Sequence, residues 1–316
     1  MKYYLAPMEG LTGYIYRNAY HHHFMPMDKY FAPFIVATSN RKMSYREWND
    51  LLPEHNQELR LVPQILANKA EDFLATAAKL WEMGYTEINL NLGCPSKTVV
   101  AKGKGSGFLE RTVELERFLD QVFSQLQGTL SIKTRIGRFE ADEFEGLLAM
   151  FNRFPLEELI IHPRVQTDYY SNQPDLDAFR MGYQISKAKV CYNGDVFSKD
   201  RAEIILEQFP NLDSMMLGRG IIRNPELRSI LEGKSLLLKG QEQFLRWRSF
   251  HDEIFAGYEQ SLDGDRPLLF KMKEIWQEWG ISFDAQERLL KKIKKCNSKE
   301  EYKKIVDELF QIIFHE

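Results

Sequence analysis

The feature that most constrains the fold of this chain is an alternation of two patterns. Eight short runs of β-branched and aromatic residues alternate with longer segments of helical pattern. The predicted strands cover residues 3–5, 29–35, 61–65, 87–91, 130–135, 158–161, 190–192 and 214–217. The predicted helices between them include residues 69–83, 113–127, 141–154 and 199–208, where apolar residues recur at helical spacing. Eight strands that alternate with helices over roughly 220 residues are typical of a (β/α)8 barrel rather than an open sheet.

The strand pattern stops after Gly233, and the rest of the chain is predicted to be helical. From Gln241 onward the spacing of apolar residues is that of amphipathic helices, with helices predicted over residues 268–279, 285–295 and 299–314. The predicted fold is therefore α/β: a (β/α)8 TIM barrel at residues 1–234, followed by a small C-terminal all-helical domain at residues 235–316.

Composition indicates an ordinary globular protein, with 44% hydrophobic and 28% charged residues. Pro7 and Glu9 interrupt the N-terminal apolar stretch, and no apolar run approaches the ~20 residues that span a bilayer, so we expect neither a signal peptide nor a membrane segment. Three widely spaced cysteines form no disulfide framework, which favours a cytoplasmic location. We expect no metal site, and the sequence indicates no obligate protein partner; the run His21-His22-His23 is predicted to end the first helix.

The charge of the chain does not predict a nucleic-acid partner. The formal net charge is −3, and residues 235–316 hold 14 Lys and Arg against 15 Asp and Glu. Proteins that bind nucleic acids usually carry a basic excess. Any RNA-binding function must therefore rest on local groups of cations.

Polar residues and glycines cluster where the predicted strands end, which in a barrel is the face that carries the active site. In strand order these groups are Ala6-Pro7-Met8-Glu9-Gly10, Gln64, Asn91-Leu92-Gly93-Cys94-Pro95, Lys133 with Arg135, His162-Pro163-Arg164, Asn193-Gly194-Asp195 and Gly218-Arg219-Gly220. The last two follow strands 7 and 8, where barrels commonly bind a phosphate, although each could also be only a tight turn.

Three side chains at this face are candidates for chemistry. Lys133 lies inside a strand, where an unpaired buried ammonium is costly, so it either faces a ligand or occupies an exposed position of the strand. Cys94 lies in a loop between a glycine and a proline, which favours a reactive thiol over a core residue. His162 is either a core histidine or a ligand contact at the end of strand 6.

The chain resembles the tRNA-dihydrouridine synthases from its first strand to its last helix. The matching blocks are Ala6-Pro7-Met8, Val62-Pro63-Gln64, Asn91-Leu92-Gly93-Cys94-Pro95, residues 102–107, Lys133-Thr134-Arg135, His162-Pro163-Arg164, Asn193-Gly194-Asp195 and Gly218-Arg219-Gly220 with Asn224-Pro225. The opening Met8-Glu9-Gly10, the short loops and the helical tail are most similar to the bacterial subgroup that acts on uridine 16.

The resemblance implies that FMN, reduced by NADPH, passes hydride to C6 of a uracil ring while Cys94 acts as the general acid that protonates C5. A thiol suits that role because its ordinary pKa, about 8.5, keeps it protonated at neutral pH. The residues implied to hold FMN are Pro7, Met8, Glu9, Gln64, Lys133, His162, Asn193, Gly194, Asp195, Gly218 and Arg219. Those implied to contact the flipped-out uridine are Asn91, His162, Arg164 and Tyr170, and Lys133 is a candidate contact for both ligands.

Two further features bear on the implied substrate. Pro163 stands where the family usually has glycine, so a backbone N–H is lost beside Arg164. The helical tail is implied to bind tRNA, with phosphate contacts expected from Arg266, Lys271, Lys273 and Arg288 and from the lysines at 291, 292, 294 and 295. The alternative for these cations is a solvated helix face balanced by acidic residues.

Two other functions are compatible with parts of this pattern. An FMN-dependent barrel oxidoreductase that acts on a free pyrimidine or a small enone shares the cysteine, the lysine and the phosphate turns. It does not predict a helical tail with clustered cations. An RNA-binding scaffold with a disabled barrel is the second alternative, and the complete set of Cys94, Lys133 and His162 argues against it.

Overall fold

The computed structural model describes residues 1–38, 43–234, 241–282 and 287–315. The strands are β1 (Lys2–Leu5), β2 (Lys29–Phe31), β3 (Ile35–Val36), β4 (Leu61–Val62), β5 (Gln64–Leu66), β6 (Glu87–Leu92), β7 (Thr129–Gly137), β8 (Glu158–Val165), β9 (Lys189–Tyr192) and β10 (Ser214–Leu217). The helices are α1 (Tyr14–His23), α2 (Tyr45–Leu51), α3 (Ala70–Glu82), α4 (Lys97–Val100), α5 (Thr112–Phe123), α6 (Glu143–Phe151), α7 (Leu176–Ile185), α8 (Lys199–Gln208), α9 (Arg219–Arg223), α10 (Leu227–Leu231), α11 (Gln241–Ser261), α12 (Asp265–Trp279), α13 (Glu287–Lys295) and α14 (Lys299–His315).

The strands form one parallel sheet that closes into an eight-stranded barrel. Their order is β3-β5-β6-β7-β8-β9-β10-β1-β2-β4. β2 and β3 are two pieces of the second barrel strand, and β4 and β5 are two pieces of the third. Because β2 pairs with β4 and β3 pairs with β5, the two ends of the order meet and the barrel is closed. Pro33 lies between β2 and β3, and Pro63 alone separates β4 from β5. The predicted TIM barrel is confirmed.

Proline explains why the second and third barrel strands are each split, although each was predicted to be continuous. Proline has no N–H to donate to the ladder, so it interrupts strand pairing. The carbonyl oxygen of Pro63 still accepts a hydrogen bond from Asn89 N at 2.9 Å, which keeps the third strand attached to β6.

The helices form where apolar residues recur on one face. In α3, the residues Phe73, Ala77 and Leu80 are fully buried, and the helix ends before Gly84, whose φ of 93° few other residues adopt. Helix α5 ends at Phe123 rather than at the predicted residue 127. A turn follows and leads to Gly128, where an added Cβ would lie 2.4 Å from the carbonyl oxygen of Thr86.

The chain divides into two compact units. The barrel unit contains Met1–Pro7, Asp28–Val196 and Glu203–Leu217, and the helical unit contains Met8–Met27, Phe197–Ala202 and Gly218–Glu316. The predicted domain boundary at residues 234 and 235 stays a prediction, and its second residue lies outside the described part of the chain. Among the described helices, none is long and apolar enough to cross a membrane.

Within the helical unit, α1 packs closely on α11. The ring of Phe250 lies 5.0 Å from that of Phe24 and 5.5 Å from that of Tyr16. Gly257 permits this approach, because a Cβ there would lie 2.7 Å from Ile15. The histidine run ends α1 as predicted, and His22 and His23 each place a ring nitrogen 2.7 Å from the Glu253 carboxylate.

The predicted helix over residues 285–295 begins at Glu287, with residues 285 and 286 outside the described part.

Candidate active site at the C-terminal ends of the barrel strands

A ladder of amide side chains crosses the barrel interior and ends at Cys94. The Gln64 amide donates to Asn89 Oδ1 at 2.7 Å and accepts from Asn91 Nδ2 at 2.7 Å. Asn91 Oδ1 then accepts the backbone N–H groups of Gly93 at 3.1 Å and Cys94 at 2.9 Å. Asn91 therefore fixes the backbone that carries the thiol.

A second set of contacts holds the Cys94 loop from its other side. Ser106 donates both its backbone N–H, at 3.1 Å, and its hydroxyl, at 2.8 Å, to the Cys94 carbonyl oxygen. Gly105 adopts a φ of 57°, and an added Cβ would lie 2.8 Å from the same oxygen. The half-buried Cys94, which is in no disulfide, is therefore held in a defined position at the end of β6.

Lys133 places a positive charge beside this loop. It pairs in register with Asn91 of β6 and lies two residues beyond Ser131, on the strand face whose Ser131 hydroxyl hydrogen-bonds Asn89. Its ammonium makes no hydrogen bond or ion pair with the described residues. Burial lowers the pKa of Lys133 to about 8, and the nearby Arg135 charge also lowers it, whereas Cys94 has the opposite effect.

His162 is held as a neutral ring in a defined tautomer. Its Nδ1 lies 2.8 Å from the Asn193 carbonyl oxygen, which can only accept, so Nδ1 carries the proton. Its Nε2 then bears the lone pair, and Arg164 Nη1 lies 3.3 Å from it. Burial, followed by the charge of Arg135, holds the pKa of His162 well below its usual range. His162 Nε2 can therefore accept a hydrogen bond from a ligand N–H only in competition with Arg164 Nη1.

The guanidinium of Arg164 is occupied by the protein itself. It forms an ion pair with Asp195 and donates through Nε to the Asn172 carbonyl oxygen at 2.6 Å. The side chain is 1% exposed. A direct contact between Arg164 and a uridine stays a prediction. The contacts that Arg164 makes in the structure are those of a residue that positions His162 and Asp195.

Pro163 sits at a β-bulge, which explains how a proline is tolerated here. Arg135 pairs with His162 and Gly137 pairs with Val165, so Pro163 and Arg164 together oppose the single residue Ile136. Bulges admit proline because the extra residue needs no ladder hydrogen bond, and they redirect the following side chain. The strand also continues to Val165, whereas the sequence predicted its end near residue 161.

Arg135, which the sequence placed at this face without a specific role, connects two loops of the site. It is 1% exposed and donates to the carbonyl oxygens of Gly93 at 3.0 Å, Val165 at 2.7 Å and Tyr169 at 2.6 Å. It thereby joins the Cys94 loop to the loop after β8. A detectable signal was its position two residues after Lys133, which places both side chains on one strand face.

Two strained residues lie at this rim. Tyr169 and Asp195, with φ of 51° and 40°, are the non-glycine residues with positive φ in the described part of the chain. Such backbone strain often accompanies ligand-binding loops. Tyr169 directly precedes Tyr170, which is 52% exposed. The Tyr170 ring lies 6.0 Å from the His162 ring and 5.4 Å from the Arg135 guanidinium.

The barrel unit thus brings together most of the predicted site residues: Gln64, Asn91, Cys94, Lys133, His162, Arg164, Tyr170, Asn193, Gly194 and Asp195. Pro7 directly follows β1 in the same unit. Asn193 also donates through Nδ2 to the Met216 carbonyl oxygen at 2.8 Å, which fixes the turn after β9. An added Cβ at Gly194 would lie 3.0 Å from the Tyr192 hydroxyl and 3.2 Å from Pro174, so the turn is closely packed.

Four predicted cofactor residues belong to the helical unit. Met8 N donates to the Thr12 hydroxyl at 2.8 Å, and Glu9 is exposed. Gly218 directly follows β10, and Ile221 N donates to its carbonyl oxygen at 3.1 Å. The Arg219 guanidinium lies 5.5 Å from the Phe197 ring. Phosphate binding at Gly218 and Arg219 stays a prediction.

Four of the eight tail cations predicted to contact tRNA differ in their surroundings. Lys271 Nζ contacts the Gly10 carbonyl oxygen at 3.1 Å and Glu274 Oε2 at 2.7 Å, and Lys273 Nζ donates to the Cys296 carbonyl oxygen at 2.6 Å. Arg266 and Arg288 are exposed, and neither pairs with a described residue. Within the described ranges, no cluster of three His, Cys, Asp or Glu side chains could hold a metal ion.

Comparison with known proteins identifies the family. The family model described as "Dihydrouridine synthase (Dus)" matches residues 4–311. Among curated relatives, the tRNA-dihydrouridine synthase B of Pasteurella multocida is 26% identical over 243 residues, which are 75% of this chain and 71% of that protein.

Solved structures share the barrel fold at low sequence identity. A morphinone reductase structure in complex with tetrahydroNAD has a TM-score of 0.53 at 11% identity, over 74% of this chain and 87% of that one. Histamine dehydrogenase from Rhizobium sp. 4-9 has a TM-score of 0.55 at 11% identity, over 74% of this chain and 46% of that one. On the family match along nearly its whole length, the chain belongs to the dihydrouridine synthases, which are flavin-dependent oxidoreductases.

Proposed function

We propose that this protein reduces the C5–C6 double bond of a uridine in tRNA, at position 16 of the D-loop, with FMN as cofactor and NADPH as electron donor. The observation that carries the proposal is the juxtaposition of Cys94, whose backbone is held by hydrogen bonds, with Lys133, a half-buried cation without a described partner, at the barrel mouth. The names of the curated relatives support tRNA as the substrate. The similarity of Met8-Glu9-Gly10 and of the tail to one bacterial subgroup supports position 16.

The residues at the mouth fit a flavin. A buried ammonium without a protein partner needs an electron-rich ligand, and the N1–O2 edge of a reduced flavin meets that need at Lys133. The Nε2 lone pair of His162 suits the N–H of a flavin or uracil ring, and such a ligand would take the place of the Arg164 Nη1 contact at 3.3 Å. The closely packed turn at Asn193-Gly194-Asp195 and the glycine after β10 are proposed to hold the phosphate.

When bound, reduced FMN supplies the hydride that adds to C6 of the uracil ring. Cys94 is proposed to donate its thiol proton to C5 from the opposite face of the ring. Asn91 fixes the backbone of Gly93 and Cys94 through two hydrogen bonds, and Ser106 fixes the Cys94 carbonyl oxygen, so the backbone that carries the thiol is already in place before the reaction. Arg135 holds the same loop and Tyr170 together around the base.

A uracil base that is stacked on its neighbours in a folded tRNA cannot reach this thiol. The base must be extruded into the barrel mouth, at a cost of a few kcal/mol. Exposed cations of the tail, Arg266 and Arg288, are proposed to supply part of that free energy through phosphate contacts, which position the tRNA without reading its sequence. A tRNA substrate also agrees with the cytoplasmic location expected from the cysteine content.

The decisive experiment maps dihydrouridine in tRNA. Deletion of this protein's gene should remove dihydrouridine from position 16, as measured by mass spectrometry of digested tRNA, and a plasmid copy should restore it. Loss at another position would keep the activity and reject position 16. If the purified protein reduces free uridine as efficiently as tRNA, then an oxidoreductase of free pyrimidines replaces the proposal. A protein that binds tRNA but no flavin would support the scaffold alternative.

A further inference from the structure

Three lysines lie on the segment that follows Cys94 and on the turn before α3 that contacts this segment, and we call Lys69, Lys102 and Lys104 the lysine rim. Lys102 and Lys104 lie in the segment between Cys94 and α5, and Lys69 precedes α3. Lys69 and Lys102 are exposed, and Lys104 is half-buried. All three belong to the barrel unit.

The fold holds these lysines together by specific backbone contacts. Asn68 Nδ2 donates to the carbonyl oxygens of Lys102 at 2.9 Å and Gly103 at 3.2 Å, which joins the start of α3 to the loop. Gly103 adopts a φ of 62°, and an added Cβ there would lie 3.0 Å from the Arg111 guanidinium. Lys104 Nζ donates to the Ala37 carbonyl oxygen at 3.0 Å. The rim is therefore a fixed feature of the barrel.

The rim brings three like charges together, and Asp72, in the first turn of α3, is the carboxylate that acts on them. Burial lowers the pKa of Lys104, the Asp72 carboxylate opposes this effect, and the charges of Lys102 and Lys69 make smaller contributions that lower the pKa. Neither Lys69 nor Lys102 pairs with a described carboxylate. Lysines that repel one another at a fixed site are stabilised by a ligand with several negative charges at regular spacing.

The rim is directly connected to the reactive loop. Ser106, two residues beyond Lys104, donates twice to the Cys94 carbonyl oxygen, at 3.1 Å and 2.8 Å. Lys97, on the short helix α4 between Cys94 and Lys102, is also exposed. The rim and the backbone that carries the thiol are therefore parts of one hydrogen-bonded segment.

We propose that the lysine rim is a second RNA-binding surface, on the barrel itself, which holds the phosphates next to the uridine that enters the site. The inference rests on the function proposed above and extends it, because the tail was the expected location of the tRNA contacts. The rim would grip the backbone near the extruded base, and the tail would grip it elsewhere.

The test compares two charge-reversal variants of the full-length flavoprotein. The rim variant is Lys69→Glu with Lys102→Glu, and it spares Lys104 because that ammonium supports the Ala37 carbonyl oxygen. The matched control is Lys2→Glu with Lys187→Glu, which changes two exposed lysines at the N-terminal ends of β1 and β9. Binding of an unmodified tRNA transcript is measured by fluorescence anisotropy over a series of salt concentrations.

The rim variant should bind the tRNA about tenfold more weakly, with a salt-dependence slope reduced by about 1.5, as expected for two lost phosphate contacts. The control variant should bind like the parent, and both should retain the parent's FMN content. Equal affinities and slopes in the rim variant and the parent would overturn the rim while leaving the proposed function intact. Failure of the parent to bind tRNA would overturn both, and equal weakening in the control would show only a general charge effect, which also overturns the rim.

Discussion

The two ends of the barrel interior bury positive charge in opposite ways. At the N-terminal end, the Lys29 ammonium lies 2.8 Å from a Glu87 oxygen and 3.2 Å from a Glu158 oxygen, and Glu158 also accepts from Tyr4 and Ser214. At the C-terminal end, the Lys133 ammonium pairs with no described residue. Buried charge is costly unless it is paired. The comparison therefore separates a charge cluster that is complete from one that awaits a ligand.

The largest expected effect tests whether the open end performs the chemistry. Cys94→Ala should slow dihydrouridine formation about 10²- to 10⁴-fold, because removal of a general acid typically costs that factor. Flavin content and tRNA affinity should stay near those of the parent, since Asn91 and Ser106 contact only the backbone at this position. Single-turnover kinetics with pre-reduced enzyme and a tRNA transcript measure the effect.

The matched control for loss of a thiol is Cys296→Ala, which changes a buried cysteine of the helical unit. That variant should turn over like the parent. If Cys94→Ala also turned over at the parental rate, Cys94 would have no part in the proton transfer, and the open end would need another donor.

The second prediction compares the two lysines directly. Lys29→Met leaves the Glu158 carboxylate without a cation and Glu87 with only Arg60, at 3.9 Å, and should lower the free energy of unfolding by about 3–5 kcal/mol. Lys133→Met removes a charge that the protein does not pair, so the apoprotein should be at least as stable as the parent. Urea unfolding of the apoproteins measures both, and flavin titration should show weaker binding only in Lys133→Met. Equal destabilisation by the two changes would remove the distinction between the two ends.

Much of this organisation could be predicted from the sequence because it depends on local patterns. Eight strand-like runs at regular spacing predicted the barrel, and the alternation within β7 predicted that Lys133 needs a partner. Proline could have improved the strand predictions, because Pro33 and Pro63 mark the places where the second and third barrel strands are interrupted. Strand and helix ends differ by a few residues, as at α5, because close packing at Gly128 decides where the chain turns.

The partners of charged residues could not be predicted, because they depend on residues far apart in the chain. Arg164 turns toward Asp195, 31 residues later, since the bulge at Pro163 redirects it. Lys271 contacts the Gly10 carbonyl oxygen, 261 residues earlier. Sequence shows that a cation is present, whereas only the fold shows whether it is already paired.

The third prediction uses pH to sharpen the difference at Lys133, whose pKa is lowered to about 8 by burial. Below that pH the ammonium is charged and ready for an electron-rich ligand. Above it, binding must first add a proton, so flavin affinity should fall by at most about tenfold per pH unit between pH 8 and 10. Flavin fluorescence titrations from pH 7 to 9.5 measure this, with Lys133→Met as the control that should lack the change. A parental affinity that rises or stays constant over this range would contradict the role of Lys133.

The smallest expected effect extends the same comparison to the helical unit, where paired and unpaired cations also coexist. Lys273 donates to the Cys296 carbonyl oxygen just after α13, whereas Arg266 and Arg288 are exposed without a described partner. Replacing both arginines by glutamine should therefore weaken tRNA binding a few-fold and reduce the salt-dependence slope by about 1.5, with unchanged stability. Lys273→Gln should instead lower stability by about 1 kcal/mol, because it removes a hydrogen bond to a helix-end carbonyl. If Lys273→Gln lost tRNA affinity while the arginine variant did not, pairing within the protein would fail to separate structural cations from RNA-binding ones.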